Sequence, residues 1–446
     1  MCPETTGQVG AGQSLPRTDL PGINAGGPRP RAPEPVTHYN GGMKPRRTTG
    51  RGRGSREGER LIALAQRLDV SGSQLEDRYW EHELEGLVTK LLAAGNDNAV
   101  ESALDQLYSG EGSAYEVLMD ACEAAAESQV VIHEDAEYDV LLIAAPILAW
   151  TRHAIPGGPV RANDLEALRV QLGAHVLAAD ARLALAPYLY SLDQIPQSFA
   201  EAYAVTRRLG AAALAGTPPK LEFGDLAETA PLLADGRFLL GAVAVPRGRP
   251  VFRWQEIGDV PALSISRARC LENWNAQGRP NITPLLPACG FELLLPDAFY
   301  VSLQDSDRKI RPYTIKAAAA WIETAAHIVP ADVRAIIAGV GEDRVDEYRI
   351  GFAARERNPV LQGVVWPLFG SEAEEGDGGA APGGTPVDAI TAVLREVGIT
   401  AIEQLPGRHF PEYCEDCGAP LFPDPRGDFV HAEEPEETKG RPTHLH

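Results

Sequence analysis

Asp332–Leu368 reads DVRAIIAGVGEDRVDEYRIGFAARERNPVLQGVVWPL, and the alternation inside it decides the fold class. Val333–Val340 is an apolar run of the length of a buried strand. Tyr348, Ile350 and Phe352 alternate with Arg349 and Gly351, as a half-buried strand requires. Asn358-Pro359 marks a turn, because proline restricts the residue before it and cannot donate to a ladder, and Val360–Trp366 resumes in valine-rich extended composition. The stretch predicts strand, turn, strand, turn, strand.

A diverged copy of this pattern lies upstream. Leu141-Leu142-Ile143 precedes Leu293-Leu294-Leu295 by 152 residues, and Arg182–Ala186 precedes Arg334–Ala338 by the same interval. Helical stretches separate the members, Asp164–Leu177 in the first copy and Thr314–Ala326 in the second. The offset then falls to 112, matching Arg237–Leu240 with Arg349–Phe352 and Trp254 with Trp366, so the first copy carries an insertion of about forty residues, approximately 198–235, that opens with a helix at Phe199–Leu214. Each copy closes with a helix, Ser266–Asn275 or Val387–Val397, and a short strand, Ile282–Pro287 or Ile399–Pro406. Strand, helix, strand, strand, helix, strand is the split βαβ plan, an antiparallel sheet with both helices on one face. The expected fold is therefore α+β, a tandem pair of ferredoxin-like repeats over 138–289 and 290–410, the second interrupted by an acidic, glycine-rich loop at 371–385.

Upstream, 57–130 carries leucines at helical spacing with Ser, Asn and Asp at the breaks, which predicts a helical segment. Residues 1–56 are rich in Gly, Pro, Arg and Thr and lack apolar periodicity, so a disordered basic tail is expected, with Met43 a second candidate start. The first sixty residues hold ten Arg or Lys against five Asp or Glu, which leaves −26 on the remainder of a chain whose net charge is −21. An acidic body repels phosphate backbones, which argues against nucleic-acid binding there and leaves the basic tail as a weaker route to RNA. No apolar run approaches the ~20 residues of a membrane span, and no secretory leader opens the chain, so the expected location is cytoplasmic.

The chemistry concentrates at the end. Cys414-Glu415-Asp416-Cys417-Gly418 places two thiolates on one tight turn, half of a tetrahedral zinc site. His431, His444 and His446 are the candidates for the other half, within a zinc-ribbon-like tail over 411–446. A four-ligand site is structural, whereas three ligands with an open position suit catalysis. Arg152-His153 and Arg308, Lys309 and Arg311 follow equivalent first strands and could meet a small anionic ligand in a groove between the repeats. The carboxylates of 342–347 beside Arg344 and Arg349 read as a solvated turn or an acid–base pair. No phosphate-binding G-x-x-x-x-G-K-[ST], G-x-S-x-G or H-E-x-x-H occurs.

Leu141–Trp150, Val345–Phe352, Val364–Leu368 and Cys414–Pro425 (CEDCGAPLFPDP) together resemble a bacterial family of unknown function, over about Gly58 to His446. Members of that family begin with a short basic leader, which fits a start at Met43; the resemblance implies no reaction. The expectation is a non-catalytic binding or regulatory protein with structural zinc and a small anionic ligand or protein partner. An enzyme acting on a small anionic substrate is the alternative.

Overall fold

The computed structural model describes residues 55–108, 113–152, 154–224, 226–229, 232–256, 264–342, 344–369, 372, 384–415 and 417–432. The predicted basic tail lies outside them up to residue 54, as does the acidic loop apart from Glu372, Gly384 and Thr385. Four helices come first: α1 (Arg56–Asp69), α2 (Gln74–Ala93), α3 (Asp97–Tyr108) and α4 (Ala114–Glu127). Ser55 and Ser73 cap α1 and α2, accepting from the N–H groups of Gly58 and Glu76. Their leucine stripes, including Leu61, Leu84, Leu91 and Leu118, are buried and continuous with the core of the next layer.

The first sheet is built from β1 (Ser128–His133), β2 (Ala136–Trp150), β3 (Gly158–Pro159), β4 (Arg182–Ser191) and β5 (Ala234–Pro246), in the order β1-β2-β5-β4-β3. Glu134 and Asp135, both with positive φ, close the β1–β2 hairpin in two residues. Helix α5 (Ala162–His175) joins β2 to β4, and α6 (Phe199–Ala215) lies between β4 and β5. Both β2 and β4 run antiparallel to β5, which lies between them, so β2–α5–β4 is a split βαβ unit. Helix α7 (Arg267–Ile282) follows, then two short strands, β6 (Gly290–Leu293) and β7 (Asp297–Ala298).

The helices do not share one face of this sheet. Leu168 and Leu172 of α5 pack with Trp274 of α7 against Ile143, Ile147, Leu185 and Leu239. Phe199 and Leu209 of α6 pack with the α1–α4 leucines against the opposite set, Leu142, Ala184, Phe238 and Leu240. Burial on both faces explains why β2 and β5 are almost continuously apolar where a one-sided sheet would alternate.

Two strands expected of the repeats are placed differently. Leu293 does not open the second sheet; β6 pairs with Ile147–Trp150 of β2, and β7 with Ile143–Ala144. Only Ala136–Leu141 of that edge is covered by β1, so the remaining backbone groups of a fifteen-residue strand need partners, and β6 and β7 supply them. Ile282–Pro287 forms the end of α7 and a 3-10 turn at Thr283–Leu285, because Pro284 and Pro287 lack ladder donors.

Helix α8 (Phe299–Ala325) leads into β8 (Val333–Val340), β9 (Glu347–Ala354) and β10 (Val360–Pro367); α9 (Pro386–Glu396) then returns the chain to β11 (Ala401–His409), parallel to β8. The sheet order is β10-β9-β8-β11. Phe299 and Leu303 of α8 belong to the core of the first sheet, whereas Ile315, Ala318 and Ile322 pack with Ile390 and Leu394 of α9 against the second. One helix, with Pro312 near its middle, therefore joins both sheets. The far face of the second sheet carries a two-stranded hairpin, β12 (Phe422–Pro423) and β13 (Phe429–Val430). Among the described residues no helix is long and apolar enough to cross a membrane.

Candidate metal centre

Leaving β11, the chain makes a turn that only a glycine completes easily. The Gly418 N–H donates to Cys414 O at 2.8 Å and the Cys414 N–H to Ala419 O at 2.8 Å, with Gly418 at φ +74°. This loop turns both cysteines of Cys414-x-x-Cys417 the same way. The β12–β13 hairpin then brings back His431: Asp424 Oδ1 accepts from the N–H groups of Arg426 and Asp428 at 2.8 and 2.9 Å and folds its turn.

Cys414, Cys417 and His431 each present a ligand atom, all within 4.8 Å of one another. A tetrahedral zinc with Zn–S about 2.3 Å and Zn–N about 2.0–2.1 Å separates its ligand atoms by roughly 3.6–3.8 Å. The 3.2 Å between Cys417 Sγ and His431 Nε2 and the 4.8 Å limit bracket that spacing. Nδ1 lies 2.8 Å from Ala432 O, a carbonyl that can only accept, so a proton belongs on Nδ1, the arrangement that leaves Nε2 to bind a metal. Of the sequence-predicted ligands, these three converge; His444 and His446 lie outside the described residues.

The centre is pinned to the second sheet. Arg349, on β9, is fully buried, with its Nη1 donating to Glu412 O and to Leu421 O at 2.9 Å and its Nε donating to Glu347 Oε1 at 2.8 Å. Its guanidinium also lies 5.0 Å from the Tyr413 ring centroid. Beside Arg349, two positions beneath the hairpin lack side chains: a Cβ at Gly351 would stand 2.0 Å from Pro423 O, and one at Gly363 would stand 2.2 Å from the Phe422 ring. Two glycines on adjacent strands, paired to each other, make a floor on which β12 rests directly.

Arg349 has a counterpart. Arg237 on β5 is likewise buried, ion-paired with Asp235 two residues earlier, and donates to the carbonyls of Ile155, Pro156 and Gly236. Each arginine thus fastens a loop to its sheet. The overlooked signal was an acid and an arginine two apart, Asp235-x-Arg237 and Glu347-x-Arg349: side chains i and i+2 share a strand face, so they pair inside the protein.

Buried polarity concentrates where α8 crosses β5. Among the described residues ten polar or charged side chains are buried; four of them, Ser302, Ser306, Asp307 and Arg311, lie on α8, where Ser306 approaches Gly236 of β5 and the Asp307 carboxyl feels the Asp235 charge. Burial, reinforced by the nearby Asp235 charge, pushes the Asp307 carboxyl well above its ordinary range, and its Oδ2 has no hydrogen-bond partner. Of the basic residues expected to meet an anion, Arg152 is exposed and three others are committed elsewhere. Arg311 donates to Pro367 O and pairs with Glu372, Lys309 pairs with Asp305, and Arg308 lies over Phe369. In the acidic turn, Glu347 pairs with Arg349 and Asp346 with Arg344, as local ion pairs. His153 lies outside the described residues.

Fold and centre together define an α+β protein whose C-terminal segment carries a Cys-Cys-His cluster docked on a sheet. By sequence the chain belongs to a family described as a protein of unknown function, DUF2863, matched over residues 46–445. No curated protein and no solved structure matches it.

Proposed function

We propose that this is a non-catalytic binding or regulatory protein in which Cys414, Cys417 and His431 hold one structural zinc ion that locks a zinc-ribbon-like C-terminal segment onto the second sheet. The carrying observation is the docking itself: a fully buried Arg349 and a glycine floor at Gly351 and Gly363 bind the segment closely to the body. A site closed by four ligands is structural, and the contacts of Arg349 with Glu412 O and Leu421 O fit that role of a fastener. His444 or His446 is the natural fourth ligand. Zinc supplies the cross-link that a segment with so few apolar residues lacks. A cytoplasmic location fits, since a reducing compartment keeps both sulfurs available as thiolates. The two sheets are read as diverged copies of one ferredoxin-like unit, a reading that Arg237 and Arg349 with their acid partners favour and that the pairing of β6 with β2 instead of the second sheet counts against.

The test is Cys417→Ser. Loss of zinc with a lower melting temperature of the whole body supports the structural role; a variant that melts like the parent overturns it. The enzyme reading has one observation in its favour, the buried Asp307 on α8, whose Oδ2 has no hydrogen-bond partner among the described residues and whose carboxyl burial pushes well above its ordinary range, because perturbed buried carboxyls cluster at active sites.

A further inference from the structure

We propose that the recess between the β9–β10 turn and the β12–β13 hairpin binds a small oxyanion group, a phosphate ester or a carboxylate, on Arg357 and Arg426. The recess has a volume of about 460 Å³, with Arg357, Asn358, Arg426, Asp424 and His431 at its polar wall and Val360 and Val430 on its apolar side. Elsewhere on this acidic chain six exposed arginines, Arg60, Arg161, Arg169, Arg247, Arg249 and Arg269, each reach a carboxylate. These two do not. With the Asn358 amide turned to present its oxygen, that oxygen accepts from Arg426 Nε at 2.9 Å and Nη2 at 2.8 Å. A neutral amide orients the guanidinium without cancelling its charge and leaves further N–H groups for a ligand. The Arg357 guanidinium has no side-chain partner among the described residues, and Arg357 stands exposed on the turn.

The one carboxylate in the wall is spent. Asp424 Oδ1 accepts two backbone N–H bonds that shape the hairpin. Two arginines against one aspartate leave a net positive recess on a chain of net charge −21. Planar guanidinium forks match the oxygens of phosphate and carboxylate, which is why oxyanions are the class selected. The valines give an apolar surface for the rest of a ligand. This names a ligand class for the binding role proposed above and rests on that reading, but not on zinc occupancy: two thiolates cancel the charge of the ion, so the arginines alone supply the attraction.

Inorganic phosphate and succinate are titrated separately by calorimetry into the reduced, zinc-loaded full chain at low ionic strength, where exposed charges are least screened. The expected result is saturable binding of at least one anion, weakened at least tenfold in R357Q and in R426Q and unchanged in R395Q, an exposed arginine on α9. The anion preferred tells phosphate from carboxylate. R357Q decides alone if R426Q disturbs the hairpin. Absence of saturable binding by either anion, undiminished binding in R357Q, or an equal loss in R395Q overturns the proposal. Zinc content measured on the same samples keeps a failure of the metal reading separate from a failure of this one.

Discussion

Placing a single methyl group at position 351 should lift the C-terminal hairpin off the body. In Gly351→Ala the new Cβ would meet Pro423 O at 2.0 Å, where ordinary contact begins at 3.4 Å, and the obstacle is backbone that cannot rotate away. Strand β9 itself tolerates alanine, since Gly351 has no positive φ and pairs through its backbone with Ile336 and Gly363. The strain therefore falls on β12. Overpacking costs about 1–3 kcal/mol. Raising the hairpin also draws Leu421 O and Glu412 O away from the buried Arg349 guanidinium, and a hydrogen bond to a charged group is worth about 1.5–3 kcal/mol. The combined loss is about 3–5 kcal/mol, large against ordinary domain stability. Hydrogen exchange should show faster amides over 412–430 and denaturant melts a lower midpoint, while zinc stays bound because its ligands sit within the segment. Unchanged exchange and an unchanged midpoint would refute the docking argument.

Arg237→Met should cost about 3–5 kcal/mol, since it strands the buried Asp235 and the carbonyls of Ile155 and Pro156; denaturant melts check it, and a loss below about 1 kcal/mol would mean that Asp235 is neutralised without the arginine. Burial above all, then the Glu127 and Asp120 charges, lifts the Glu123 carboxyl to about 7, and burial lifts Glu127 to about 7 against the opposing hydrogen bond from the Tyr300 N–H. Raised carboxyls contribute stability that is complete below the ordinary value of 4.5 and is lost as pH rises through about 7. Glu123→Gln should therefore stabilise the protein at pH 8 by about 1 kcal/mol, discounted for partial exposure, and hardly at all at pH 4; parallel melting profiles for parent and variant across that range would count against it.

The second sheet was readable from the chain because its signals agree. Strands β8, β9 and β10 begin and end within a residue or two of the apolar runs and turn residues that announce them. Helix α8 was not. Its second half was visible as Thr314–Ala326, but its first half carries Ser302, Ser306, Asp307, Arg308, Lys309 and Arg311, a polar surface by composition. Four of those six are buried, because the helix crosses between two sheets and uses polar side chains at the crossing. The fate of Leu293 also depended on something remote, the open edge of β2, which local pattern does not encode. At the metal centre the Cys-x-x-Cys turn was explicit in the spacing, whereas the choice of His431 needed the β12–β13 hairpin and the bond from His431 Nδ1 to Ala432 O. Arg349 was hidden by its type, since an arginine in an apolar strand reads as an exposed position until its acid partner and carbonyls are seen.

The most direct test of the account is the zinc content of protein purified under reducing conditions, set beside that of Cys414→Ser. The account predicts about one zinc ion per chain in the parent and none in the variant. A reduced parent that carries no bound metal, or a variant that retains it, would contradict the metal centre at Cys414, Cys417 and His431.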